Sequence, residues 1–125
     1  MILVLADTSV WTDHIRHGDP QMEALTDRER LLMHPYVIAE LRMGNLKRRK
    51  AFLSSLHQMD MATRASDEEV STLVESHHLF GSGIGWIDAH LLTSVLLMGE
   101  ARLWTRDRRL NSAAQRLGVA FQPHH

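Results

Sequence analysis

Apolar residues along this chain fall into two rhythms. "ILVLA", Ile2 to Ala6, is an unbroken apolar run of the kind that a strand buried on both faces shows. Beyond it the spacing becomes helical. A Ser or Thr of "DTSV" is placed to cap a helix through Trp11 and Ile15 to Gly18. "DPQMEALTDRER" predicts a second helix with Pro20 in its first turn, and "LLMH" a short strand. Pro35 opens a helix that Gly44 closes, and residues 45–58 predict another, with Leu46, Phe52, Leu53 and Leu56 on one side.

"MDMAT" is a weak strand signal, and Ser66 with Glu69 gives capping-box spacing ahead of Val70, Leu73 and Val74 in a helix over 66–80. "GSGIG" then links to the apolar helix that begins in "GIGWIDAHLL". "ARLWT" predicts a strand, residues 107–118 an amphipathic helix, and "VAFQ" a last strand. Strands alternating with helices predict an α/β fold: a mainly parallel central sheet of about five short strands with helices on both faces. The length, 125 residues, and the lack of a linker or repeat predict one domain over 1–125.

Composition narrows the function classes. A net charge of −1 gives no global basic field to advertise nucleic acid, so any such partner needs local patches or metal ions. With no cysteine, disulfides, thiolate catalysis and Cys-type zinc sites are excluded. "MILVLA" is too short for a signal-peptide core, and no run reaches the roughly 18 apolar residues of a membrane helix. The expectation is a cytoplasmic protein with no membrane partner. The final pair, His124 and His125, carries no inference.

Against this background four acids stand out. Asp7 directly follows the first strand, and Asp107 lies just past "LWT". Asp88 is the only formal charge between Ile84 and Met98, at the start of a helix, where the dipole favours an anion. Glu40 sits among apolar neighbours in "PYVIAEL". Asp7, Asp88 and Asp107 each also fit a helix cap or first-turn acid, and Glu40 an ordinary helical glutamate. Yet all four fall at one edge of the expected sheet, where sites of α/β proteins gather. Four clustered carboxylates repel, and a hard divalent cation such as Mg²⁺ or Mn²⁺, taking oxygen ligands, removes that conflict.

"LADTSVW", "VIAELRMG", "GIGWIDAHLL" and "LWTRDRRL", in that order, resemble the acidic motifs of PIN domains, over nearly the whole chain. The short length and "DTSVW" start most resemble the VapC-type toxins of bacterial toxin–antitoxin pairs. The resemblance implies a sheet sandwiched between helices and a metal-dependent endoribonuclease. Asp7, Glu40, Asp88 and Asp107 match the family's metal-binding acids; Ser9 and Thr105 match its supporting hydroxyls. It also implies a homodimer silenced by a VapB-like antitoxin, in a higher assembly, with the antitoxin's C-terminal segment inserted into the acidic groove. In such a site Asp7, Asp88 and Asp107 are expected to hold the metal, with Glu40 acting through water or positioning the nucleophile. Thr8 has suitable chemistry too, and also suits a cap.

RNA needs cations to grip it. Arg42, Lys47, Arg48 and Arg49, with Lys50, follow Glu40, while Arg106, Arg108 and Arg109 flank Asp107; both groups suit phosphate contact and both suit a solvated face. Trp11 and Trp86 are candidate base-stacking platforms, with core or dimer contacts the reading their apolar neighbours favour. His77 and His78 are adjacent, point apart on a helix and make a poor chelating pair. "GSGIG" is a weak partial match to a dinucleotide fingerprint, in the wrong context.

Two other functions bear weighing. A receiver-like signalling domain needs adjacent acids after the first strand and a Lys near the last, and neither is present. A non-catalytic dimerisation module of a toxin–antitoxin repressor would not need the intact acids.

Overall fold

The computed structural model describes residues 1–123, so the terminal histidine pair lies outside the described residues. Its centre is β1 (Leu3–Ala6), flanked by β2 (Leu31–Leu32) and β3 (Ala101–Trp104), both parallel to it, in the order β2-β1-β3. Val4, Leu5 and Ala6 are all buried. Successive strand residues point to opposite faces, so both faces of the central strand are covered.

The chain between β1 and β2 forms α1 (Thr8–His17) and α2 (Pro20–Asp27). After β2 come α3 (Pro35–Arg42), α4 (Arg49–His57), α5 (Asp67–Ser76) and α6 (Trp86–Met98), and after β3 comes α7 (Arg108–Arg116). Ser66 and Glu69 close the capping box expected of them at α5. In α6, Ala89 through Val95 are all buried, which explains why its sequence has no polar face. One core joins the strands to buried residues of every helix except α5, whose part-buried Leu73 and Val74 rest against it while Val70 packs with Ala65 and Ala89 in a small satellite.

The sheet has three strands, not about five. "MDMAT" and "VAFQ" lie beside the sheet but contribute a single bridge each, Met33 with Met61 and Leu103 with Ala120. Apolar alternation placed both segments against the core; neither extends the ladder beyond one pairing. The helix expected over 45–58 begins only at Arg49, after Arg48 turns into the left-handed region at φ 48°. The helix expected over 66–80 ends at Ser76, and His78 likewise has φ 53°.

Candidate active site

Register brings the first two acids together. Ala6 pairs with Trp104 at the carboxyl ends of β1 and β3, and Asp7 N donates to Trp104 O at 3.0 Å. The chain leaves both strands at one point, the crevice beyond the strand ends where α/β proteins bind ligands. Asp7 caps α1 and Asp107 caps α7, each accepting backbone N–H groups of its helix through Oδ1. Capping and site duty are therefore not rivals: the cap fixes one oxygen and orients the other.

Hydroxyls complete the clamp. Ser9 Oγ donates to Asp7 Oδ1 at 2.5 Å and accepts from Arg106 N at 2.9 Å. Thr105 Oγ1 donates to Asp7 Oδ2 and accepts from Asp107 N at 3.0 Å. Thr8, inside α1 rather than at its cap, donates to Glu40 Oε1 at 2.6 Å, holding the exposed acid of α3 toward α1. Sequence alone left Thr8 between a cap and a site role; the structure removes the cap reading, because Asp7 holds that position.

Asp88 arrives from the other direction. α6 leads into β3, so its N-terminus lies near the strands' carboxyl ends, and Asp88 stands in its first turn. Burial pushes the Asp88 carboxyl up to about 6, and the charges of Asp7, Asp107 and Glu40 push the same way. Asp88 therefore lies within reach of the charges of the other three acids. Burial also raises Asp7 above the ordinary carboxylate range, against the opposing pull of its hydrogen bonds from Ser9, Thr105 and the Val10 amide. Among the described residues none of the four pairs with a Lys, Arg or His.

The donor set fits a hard cation: four carboxylates and no countercharge. Yet no group of three or more His, Cys, Asp or Glu side chains closes into a ready chelate among the described residues. The two observations are compatible, because mutual repulsion acts over distances longer than a metal–oxygen bond. The acids share a field without clenching on a point.

A family model described as PIN domain matches residues 4–115. The chain belongs to the PIN-domain family. Ribonuclease VapC32 of Mycobacterium tuberculosis, from strain CDC 1551 / Oshkosh, is 42% identical over 119 residues, covering 95% of this chain and 96% of that protein. The VapC32 of strain ATCC 25618 / H37Rv matches to the same extent.

In this PIN domain the basic residues singled out beside the acids meet different fates. Arg106 pairs with Asp13 at 2.6 Å and Asp19 at 2.9 Å, and its guanidinium lies over the Trp104 ring. Arg49 donates to the carbonyls of Arg42 and Gly44, tying α4 to the end of α3. Arg42 reaches His57 at 3.3 Å, and Arg42, Lys47 and Arg48 are exposed. Trp11 is buried as expected, whereas Trp86 is 46% exposed and the core reading does not hold for it. It opens α6, at the rim, with one edge on buried His90. His77 and His78 are both exposed. The buried His34 and His90 were not foreseen; Tyr36 stands against both rings, and Asp67 is 3.0 Å from His90 Nε2. No helix is long and apolar enough to cross a membrane among the described residues.

Proposed function

We propose that this PIN domain is a toxin-type endoribonuclease that hydrolyses RNA phosphodiester bonds with Mg²⁺ or Mn²⁺ and is neutralised by a VapB-like antitoxin. The observation that carries it is the convergence of Asp7, Glu40, Asp88 and Asp107 at the carboxyl edge of the sheet with no cation among them. The likeness to a ribonuclease along nearly its full length supports the same reading.

A bound divalent ion supplies charge neutralisation at the phosphate and a water of lowered pKa. The residues do the rest. Asp7, fixed by Ser9 and Thr105, presents its carboxylate with little rotational freedom, and Asp107 spends Oδ1 on the cap, leaving Oδ2 as the oxygen to offer a cation. Asp88, raised by burial and then by the charges of its neighbours, would be held in its charged form by a bound cation. Glu40, exposed and steered by Thr8, is placed to hold the attacking water. Water oxygen bonds to phosphorus as the bond to the 3′-oxygen breaks, and that oxygen takes the proton. The products are a 5′-phosphate and a 3′-hydroxyl.

Residues 1–125 act as one domain in the cytoplasm, as a homodimer and in a larger assembly with the antitoxin, whose C-terminal segment enters the acidic groove. Exposed Arg42, Lys47 and Arg48 contact RNA phosphates, with Arg49 and Arg106 contributing where their protein contacts leave N–H groups free. The experiment is cleavage of single-stranded RNA by purified protein and by Asp88→Asn, with the fold checked by circular dichroism. Loss of cleavage in a folded variant is expected; full activity in that variant overturns the reading.

A further inference from the structure

The chain carries nearly equal numbers of acids and cations, 15 and 14, so a basic cavity with no acid in its wall departs from the rest of the molecule. One such cavity, of about 380 Å³, opens between α7 and the loop that leads from α5 into α6. Arg108, Arg109 and Arg116 line it together with Ser82 and Ser112, and no Asp or Glu does. Among the described residues none of the three arginines forms an ion pair.

Two of these guanidiniums have defined neighbours. Arg116 donates to His77 O at 2.9 Å. Arg109 lies across Gly83, so closely that a β-carbon there would stand 2.6 Å from its Nη1. Gly83 also has φ +88°, so the loop can follow this path only with glycine. Unpaired positive charge in a concave wall with hydroxyls suits an anion with several acceptor oxygens, and guanidinium groups suit phosphate in particular.

Location narrows the ligand. Arg109 N donates to Asp107 Oδ1, so the basic wall starts beside one of the four acids. Ile84, also in the wall, precedes the Gly85 cap of α6 and thus the turn that carries Asp88. We propose that this cavity binds a backbone phosphate of the RNA strand adjacent to the bond being cut. The acids then take the scissile phosphate while Arg109 and Arg116 hold its neighbour and set the direction of the strand. This rests on the nuclease reading above and adds a subsite to it.

The test uses the full chain carrying Asp88→Asn, to prevent turnover, and a labelled single-stranded RNA oligonucleotide followed by fluorescence anisotropy over a range of KCl. Arg109→Gln with Arg116→Gln should weaken binding about tenfold or more and lower the salt slope by about one unit. Ser112→Glu, an exposed position in the same wall, should weaken binding as well without removing any arginine contact. It serves as the second reading if the double variant fails to fold. Unchanged affinity and slope in a folded variant overturn the subsite. So does RNA binding that survives while binding of an acidic peptide is lost, since the cavity would then serve a protein partner. If the unsubstituted protein cleaves RNA, a failed subsite leaves the nuclease reading standing; if it neither binds nor cleaves RNA, both fall.

Discussion

Thr105 and Asp7, 98 positions apart in sequence, are joined by the threonine hydroxyl, which donates to the aspartate's Oδ2. The same hydroxyl accepts the amide of Asp107. One side chain thus bridges the segments that leave β1 and β3 and orients two of the four acids.

Thr105→Val, which keeps the shape and removes the hydroxyl, should therefore act on both. RNA cleavage is expected to fall by about 10- to 100-fold, as for lost partners of metal-binding side chains. The protein should lose about 1–3 kcal/mol of stability, because a buried acceptor is left unsatisfied. Thr105→Ser should restore most of each. Steady-state cleavage and denaturant melts check the pair, and an unimpaired Thr105→Val variant would remove the clamp from the account.

Asp88 makes stability depend on pH in the metal-free protein. Its folded-state value of about 6 lies above the ordinary 3.8, so between these values the folded chain holds the proton more tightly than the unfolded chain does. Stability from this group is intact at low pH and is lost as pH rises through about 6. His34, lowered by burial from 6.5 to about 4, works in the opposite direction over an overlapping window. A single wild-type profile mixes the two. Comparison with Asp88→Asn isolates the first: in EDTA its melting temperature should match wild type near pH 4, exceed it increasingly towards pH 6, and level off above. An offset that is constant with pH contradicts the assignment.

Gly83→Ala should destabilise the protein by about 1 kcal/mol or more through its positive φ, and should also displace Arg109. The paired readout is a thermal melt and RNA affinity. Arg109→Ala relieves the steric conflict, so the double variant should recover part of the lost stability but none of the lost affinity.

How much of this was legible beforehand depends on the kind of force involved. The acids at strand ends and helix starts were visible because a charge after an apolar run has few places to go: Asp7, Asp107 and Asp88 sit where strand and cap geometry put them. Glu40 stood out only as an acid among apolar neighbours, and nothing in "PYVIAEL" shows that Thr8 lies opposite. The strand count was misjudged because "MDMAT" and "VAFQ" have apolar residues enough to touch the sheet, while ladder length depends on the path of neighbouring backbone. Arg49 and Arg106 illustrate another limit: local charge density does not reveal that a guanidinium is already engaged with carbonyls or with Asp13 and Asp19. Trp86 came out exposed because it opens its helix, although Ala89 through Val95 further along the helix are buried.

The central claim is that these carboxylates act by holding a divalent ion against RNA. Cleavage of single-stranded RNA by protein stripped with excess EDTA, followed by addition of Mg²⁺ or Mn²⁺, tests it most directly. The expected result is no cleavage in EDTA and recovery with either ion, yielding ends that carry a 5′-phosphate. Undiminished cleavage in EDTA would contradict it and would move the chemistry to a side-chain base.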